Sequence, residues 1–386
     1  MALGSLDDPM QGKRICHLSS VRTGLDPRAF HLQCTPLVAQ GLQAQFVGPH
    51  GLTGWMNDVE LVPFPRRANR FLRILLAVSI IPRALRLKAD VYHFHDPELI
   101  PAGLLLKRLF GKKVVYDAEE DFPSMMRDKK YLPRPVRWAM EKLVTKIEDI
   151  AAHWLDGIVT ADTATMRRMA KVGVSRKLVF FNLPNLALFP EPPSVPKNFD
   201  LIYRGGLSQR AGTLVLLQAI RQLFNEGRSM NILLIGYFDN SAVEKALREQ
   251  IRSLHLDRFI TLLGHIPHDK MAEAMSEARI GICPLQPTAK FLRNIPVKVW
   301  EYWACGLPVV ASDLAPIRPF FRDGEYGFLV KPDDPVKFAQ AIGWLMDHPE
   351  EAAEMGRRGR RVVLEHYNNV AEVQKLQNFY QRILET

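Results

Sequence analysis

Pro296-Val297-Lys298-Val299-Trp300-Glu301 places an ammonium and a carboxylate one helical turn apart, behind a proline suited to open a helix. Gly306 can close that helix in the left-handed conformation. Pro308–Ala311 then reads as a buried strand ending at Ser312-Asp313. Free amides over residues 296–298, the helix dipole and the Lys298 charge suit a phosphate. Glu301, on the side of Val297 and Lys298, can accept hydrogen bonds from two ribose hydroxyls. The plain alternative is a solvated helix face. Trp300 and Trp303, on a short helix feeding a buried strand, count against it. A second stretch, Tyr203-Arg204-Gly205-Gly206 to Gly212, runs a strand into paired glycines and a helix. Such glycines let a backbone approach a ligand closely, and Arg210 adds positive charge. An ordinary strand-to-helix turn explains this stretch equally well.

The first half holds three further groups. Tyr92-His93-Phe94-His95-Asp96-Pro97 ends a strand and begins a helix. Asp96 before Pro97 suits an N-cap, which by itself accounts for it. His93 and His95 share a face at a strand end, where parallel sheets bind ligands. No third metal ligand is apparent beside them in the sequence. Asp117, Glu119, Glu120 and Asp121 crowd the end of the next strand, where they can cap the following segment or hold sugar hydroxyls. The loop carrying Arg22, Asp26 and Arg28 follows the first strand; it is a contact surface for a ligand or a plain turn. Residues 65–89 contain Arg66, Arg67, Arg70, Arg73, Arg83, Arg86 and Lys88 among apolar residues and no acid until Asp90. That basic amphipathic stretch suits an anionic membrane surface as well as an ordinary core-facing helix.

These groups need strands to carry them. Short apolar runs at 14–18, 44–47, 91–94, 113–116 and 157–160 alternate with longer amphipathic stretches. The alternation breaks at the proline-rich 191–197 segment and restarts at 200–203, 231–235, 259–263, 280–284, 308–311 and 327–330. The order predicts an α/β chain of two doubly wound, Rossmann-like domains facing a cleft. The first spans 1–190 and the second 198–369, joined by a linker at 191–197. A helix over 370–386 completes the second core or crosses back to the first.

Composition sets the outer limits. With 386 residues, 47% hydrophobic and 24% charged, the chain is globular. Four scattered cysteines give no disulfide framework or zinc spacing. No apolar run reaches the roughly 20 residues of a membrane span, and residues 1–10 do not read as a signal peptide. A cytoplasmic protein is expected, peripheral at the inner face of the cell membrane. Residues 1–190 hold 27 Lys+Arg against 18 Asp+Glu, while 191–386 hold 24 against 23. The surplus in the first half implies a polyanionic partner. Without a nucleic-acid motif, an anionic membrane is favoured over nucleic acid.

Taken together, these motifs resemble the family 4 (group 1) retaining glycosyltransferases of the GT-B fold, of the bacterial exopolysaccharide and lipopolysaccharide type. The match runs through Pro296-x-Lys298-x-x-Glu301-Tyr302-x-Ala304-x-Gly306-x-Pro308, then Asp323-Gly324-x-x-Gly327 and Tyr367-Asn368. A subgroup's H-x-H-D-P-E-L corresponds to His93–Leu99, and its Y-D-x-H-E to Tyr116–Glu120, with Glu119 at the His position. Arg293 stands where the family's E-x7-E pair has its first Glu. The resemblance implies transfer of a sugar from a UDP- or GDP-sugar to a saccharide or polyprenyl-linked acceptor. Glu301 then binds the ribose, Gly205 and Gly206 lie under the diphosphate, and Arg210 and Lys298 neutralise it. His265 and Ile266 contact the base. Glu119 lies by the reacting sugar, and Arg22, Asp26, Arg28, His95 and Asp96 border the acceptor. No cofactor is implied, and no Asp-x-Asp metal cluster is seen. A nucleotide-sugar-binding protein without transfer activity, or less readily a sugar-nucleotide epimerase, is the other reading.

Overall fold

The computed structural model describes residues 9–21, 25–65, 76–127, 132–170, 176–193, 195–238, 240–288 and 290–385. The chain divides into two units. One comprises Met1–Asn182 with Asn369–Thr386, the other Leu183–Asn368. The boundary lies ahead of the 191–197 segment expected as linker. Asn185 caps the turn at Leu186–Leu188, and Phe189 is buried with its ring edge-on to His268, so residues 183–190 belong to the second unit. Among the described residues, no helix is long and apolar enough to cross a membrane.

The first unit is built on one eight-stranded sheet. Its strands are β1 (Arg14–Leu18), β2 (Gln43–Gly48), β3 (Gly54–Met56), β4 (Val59–Pro63), β5 (Val91–Phe94), β6 (Lys113–Ala118), β7 (Gly157–Thr160) and β8 (Lys177–Val179). They lie in the order β3-β4-β2-β1-β5-β6-β7-β8. All pair in parallel except β3 with β4. Chain order reverses between β1 and β5, making a switch point at their carboxyl ends. The central strands are buried on both faces, which is why they read as continuous apolar runs. The short strands β3, β4 and β8, at the two edges of the sheet, are not among the expected runs.

The helix Asn369–Leu384 belongs to this unit. Val373, Leu376, Phe379, Tyr380 and Ile383 are buried against Ile15, Val91, Val115 and Val159. Gly157 makes room for it: a Cβ there would lie 2.5 Å from the Phe379 ring.

The second unit repeats the design with six parallel strands. They are β9 (Phe199–Arg204), β10 (Ile232–Ile235), β11 (Ile260–Leu263), β12 (Ala278–Cys283), β13 (Val309–Ser312) and β14 (Gly327–Val330). The order is β11-β10-β9-β12-β13-β14, so the switch point falls between β9 and β12. The helix Val297–Ala304 follows β12 and buries Trp300 and Trp303 among Phe320, Phe321, Tyr326 and Tyr367. That aromatic packing fixes the helix and therefore its Lys298 and Glu301.

Candidate functional site

In the second unit, β9 delivers Tyr203 and Arg204 to the switch point and then turns through Gly205 and Gly206. Gly205 has φ +127°, and a Cβ on it would meet the Lys298 ammonium at 2.8 Å. The turn closes at Gly212, with φ +80°, where a Cβ would fall 1.7 Å from the Pro284 carbonyl oxygen. Both positions require glycine for backbone reasons as well as space. The helix Thr213–Asn225 starts directly behind.

Lys298 and Glu301 arrive from the other side of the switch point. The helix Val297–Ala304 opens after Pro296, which is extended and has no amide donor of its own, so of the amides expected over 296–298 only those of Val297 and Lys298 exist. The Lys298 Nζ donates to the Tyr203 hydroxyl at 3.3 Å and lies 4.3 Å from that ring's centroid. Tyr203 in turn donates to the Gly206 carbonyl at 2.7 Å, so the lysine and the glycine turn share one anchor. Burial, with Arg204 nearby, lowers the Lys298 ammonium to about 8. Glu301 is buried, ion-paired with Arg204 and 3.7 Å from the His268 imidazole. Burial acts to lower the Arg204 guanidinium, but Glu301 carries it above its ordinary range. Burial lowers His268 despite Glu301 beside it. The Arg204 amide donates to the Tyr302 hydroxyl at 2.9 Å, and Tyr302 donates to the Ile282 carbonyl, tying β9 to β12.

Three cationic or ionisable groups, Arg204, Lys298 and His268, therefore surround one carboxylate. The arrangement has positive charge to spare and suits a polyanion. Arg210 is exposed on the turn at Gln209–Ala211, while its carbonyl accepts from the Gln286 amide. His265 and Ile266 sit in the loop after β11, ahead of His268. Sequence reasoning passes over Arg204 and His268. The only signal for Arg204 is its place at the end of a strand running into two glycines.

The first unit assembles a different cluster at its own switch point. Asp117, on β6, is fully buried and accepts two hydrogen bonds from Arg28, at 2.8 and 2.9 Å, and one from Gln33 at 2.9 Å. Arg28 also donates to the Phe180 carbonyl. His95 Nδ1 lies 3.4 Å and His93 Nε2 3.7 Å from the same carboxylate. His17, register partner of His93, places Nδ1 2.9 Å from His95 Nε2. His93 Nδ1 is 2.6 Å from the Tyr380 hydroxyl. Burial pushes His17 and His93 well below the usual imidazole range, so both are neutral. Burial opposes the Asp117 charge, yet Arg28 and the histidines hold it well below the carboxylate range.

The third imidazole missing from the sequence reading is thus His17. His17, His93 and His95 bring ring nitrogens within 4.8 Å of one another. Charge balance nevertheless disfavours a divalent cation among them. Asp117 is already neutralised by Arg28, so the ion would bury two uncompensated charges.

Of the residues expected beside an acceptor, Arg22 lies outside the described residues, as do Arg66, Arg67, Arg70 and Arg73 of the basic stretch. Asp26 caps its helix by accepting from the Ala29 amide at 2.7 Å. Arg28 is 1% exposed and turned to Asp117. Asp96 makes no side-chain cap to the turn at Pro97–Leu99. Its Oδ2 instead accepts from Ser19 Oγ at 2.9 Å and the Ser20 amide at 2.6 Å, holding the loop after β1. Glu119 is half-buried just beyond β6.

Comparison with known proteins bears on both halves. A family model described as "Glycosyl transferases group 1" matches residues 198–348, and one described as "Glycosyltransferase Family 4" matches residues 32–181. The phosphatidyl-myo-inositol mannosyltransferase of Mycolicibacterium smegmatis is 28% identical over 281 residues, 71% of this chain and 66% of that protein. The chain thus spans just under two thirds of that relative's length. The amylovoran biosynthesis glycosyltransferase AmsK of Erwinia amylovora is 25% identical over 81% of this chain and 74% of its own. Among solved structures, Anabaena HepE in complex with UDP and glucose superposes with a TM-score of 0.71 at 14% identity, covering 96% of this chain and 100% of that one.

Proposed function

We propose that this chain, which belongs to family 4 (group 1) of the glycosyltransferases and has their GT-B fold, transfers a sugar from a nucleoside diphosphate donor. The acceptor is a saccharide or lipid-linked saccharide of a cell-surface polysaccharide, and the anomeric configuration is retained. The observation that carries this reading is the single carboxylate of Glu301 set among Arg204, Lys298 and His268 beside the Gly205-Gly206 turn. HepE, of like fold, is described with UDP and glucose bound, and AmsK as an amylovoran biosynthesis enzyme.

Glu301 accepts from the donor ribose. The diphosphate lies over Gly205 and Gly206 and against the first amides of the Pro296-Val297-Lys298 turn, where the helix dipole and Lys298 favour it. His265 and Ile266 border the base. As the bond from the anomeric carbon to the phosphate oxygen breaks, negative charge builds on the diphosphate. Lys298 and Arg210 stabilise it without having to reorganise. The acceptor hydroxyl attacks the oxocarbenium-like centre from the face the phosphate leaves and gives its proton to the departing diphosphate oxygen, and positioning supplies the rest. In the first unit His95 borders the acceptor, Asp96 holds the Ser19-Ser20 loop, and Asp26 and Arg28 fix the following helix. No metal ion is needed in this scheme, because the protein supplies the cations.

Thermal unfolding with UDP, GDP and their sugar conjugates, for the wild type and Glu301→Ala, tests the donor site. A ligand at 100 times its dissociation constant adds about 2.7 kcal/mol. We expect one nucleotide to raise the Tm of the wild type and not of the variant. Absence of any nucleotide-dependent shift, or a shift equal in the variant, rejects the reading.

A further inference from the structure

The surface of the first unit carries an apolar face that includes none of the residues of the proposed site. The helix Arg134–Trp154 buries only Glu148, Ala151 and Ala152. Val136, Met140, Leu143, Ile147, Ile150 and Trp154 recur at alternating steps of four and three, and so form one stripe along it. All but the half-buried Met140 are exposed, Leu143 to 59%. The stripe runs on into the loop after the helix Ile100–Arg108: the Arg108 guanidinium stands 3.6 Å from the Trp154 ring centroid, and the next two residues, Leu109 and Phe110, are exposed as well. Water-facing apolar patches of this extent on a globular protein mark an interaction surface.

We propose that this face docks on the anionic headgroup layer of a lipid bilayer. Charge complementarity selects that occupant. Residues 107–113 carry Lys107, Arg108, Lys112 and Lys113 and no acid, a net of +4. The helix has four basic residues against three acids, a net of +1, and the two segments together reach +5. Glu141 is paired with Arg127 and Glu148 with Arg168, both from outside these segments, while Lys107 is taken up by Asp156; Arg108, Lys112 and Lys113 then stand with the helix cations against Asp149 on the Lys142 side. Lys142 lies 3.8 Å from the Trp138 ring centroid, an arrangement in which an apolar ring and a cation meet at one level. A helix of this kind lies in the plane of the interface, apolar face down and cations at the phosphates. Pairing with a second copy fits less well, because Lys142 and Lys146 beside the stripe would meet their own like charges. This surface is separate from the donor site, and testing it needs no transfer assay.

Co-sedimentation of the full chain with phosphatidylcholine vesicles containing phosphatidylglycerol, against pure phosphatidylcholine vesicles, provides the test. Binding to the anionic vesicles is expected, weakened by salt. The double variant Leu143→Asn, Ile147→Asn should bind at least about tenfold more weakly, since each large apolar side chain contributes about that factor. Both positions are exposed, so the Tm should stay unchanged. The loop variant Leu109→Ser, Phe110→Ser gives an independent second arm with the same expected loss. No binding by the wild type, or equal binding by both variants, overturns the proposal. So does a dimer in light scattering that dissociates in the helix variant, which would assign the stripe to a second copy.

Discussion

Two doubly wound sheets present charged clusters at their switch points, and they use charge in opposite ways. In the first unit Arg28 and Asp117 neutralise each other in full burial, with neutral His17 and His93, together with His95 and Tyr380, filling the remaining space. In the second, Arg204 and Glu301 also pair, but Lys298 and His268 remain beside them, at the edge of a glycine turn. One cluster is closed on itself and stiffens the carboxyl ends of β1, β5 and β6. The other keeps one cation, Lys298, in excess of its carboxylate and has the charge to take an anion from outside. The same topology therefore does not dictate the same task; the count of unmatched charges does.

The contrast breaks most sharply at the two arginines. Arg28→Met should cost about 3–5 kcal/mol in denaturant unfolding, because Asp117 is left buried without its cation. Nucleotide affinity of the folded fraction should not change. Arg204→Met should cost only about 1.5–3 kcal/mol, with Lys298 and His268 still next to Glu301. That variant should lose nucleotide affinity in a binding titration. Equal stability losses for the pair would remove the distinction.

Acid titration separates the clusters further. His17 and His93 are held below their unfolded value of about 6.5, so the unfolded chain binds protons that the folded chain refuses. Their contribution is complete above about pH 6.5 and falls as the pH drops, approaching about 1.4 kcal/mol per pH unit for each histidine. Unfolding free energies measured from pH 7 to 5 should show this slope, and His17→Gln should reduce it. A flat profile would mean that the histidines take up protons alike in the folded and unfolded chains.

The smallest effect belongs to Lys298. With its ammonium at about 8, nucleotide affinity should weaken as pH rises through that value. Isothermal titration at pH 7 and 9 reads the change, and Lys298→Met should abolish it.

Much of this is legible in the sequence, for identifiable reasons. Strands buried on both faces leave unbroken apolar runs, and glycines at Gly205 and Gly212 answer to space that only backbone can enter. The Lys298–Glu301 spacing sits on one short helix, so local periodicity suffices to place both. What stays hidden depends on distant pairing. Arg28 finds Asp117 across 89 residues, and His93 finds Tyr380 across 287. His17 looks like a polar interruption of an apolar strand until register sets it opposite His93. Asp96 before Pro97 has the signature of a cap and spends its carboxylate on another loop. The stripe on Arg134–Trp154 shows a limit of another kind: periodicity reveals that a helix has an apolar face, never whether anything covers it.

The return of Asn369–Leu384 to the first unit has a consequence for how the protein is made. Ile15, Val91, Val115 and Val159 leave the ribosome long before Val373, Phe379 and Ile383, the side chains that cover them. The whole of Leu183–Asn368 is synthesised in between. During that interval the nascent first sheet carries an uncovered apolar face, the kind of surface that chaperones hold and that aggregates when they do not. Maturation of the earlier half of the chain therefore waits on the last turns of the later one.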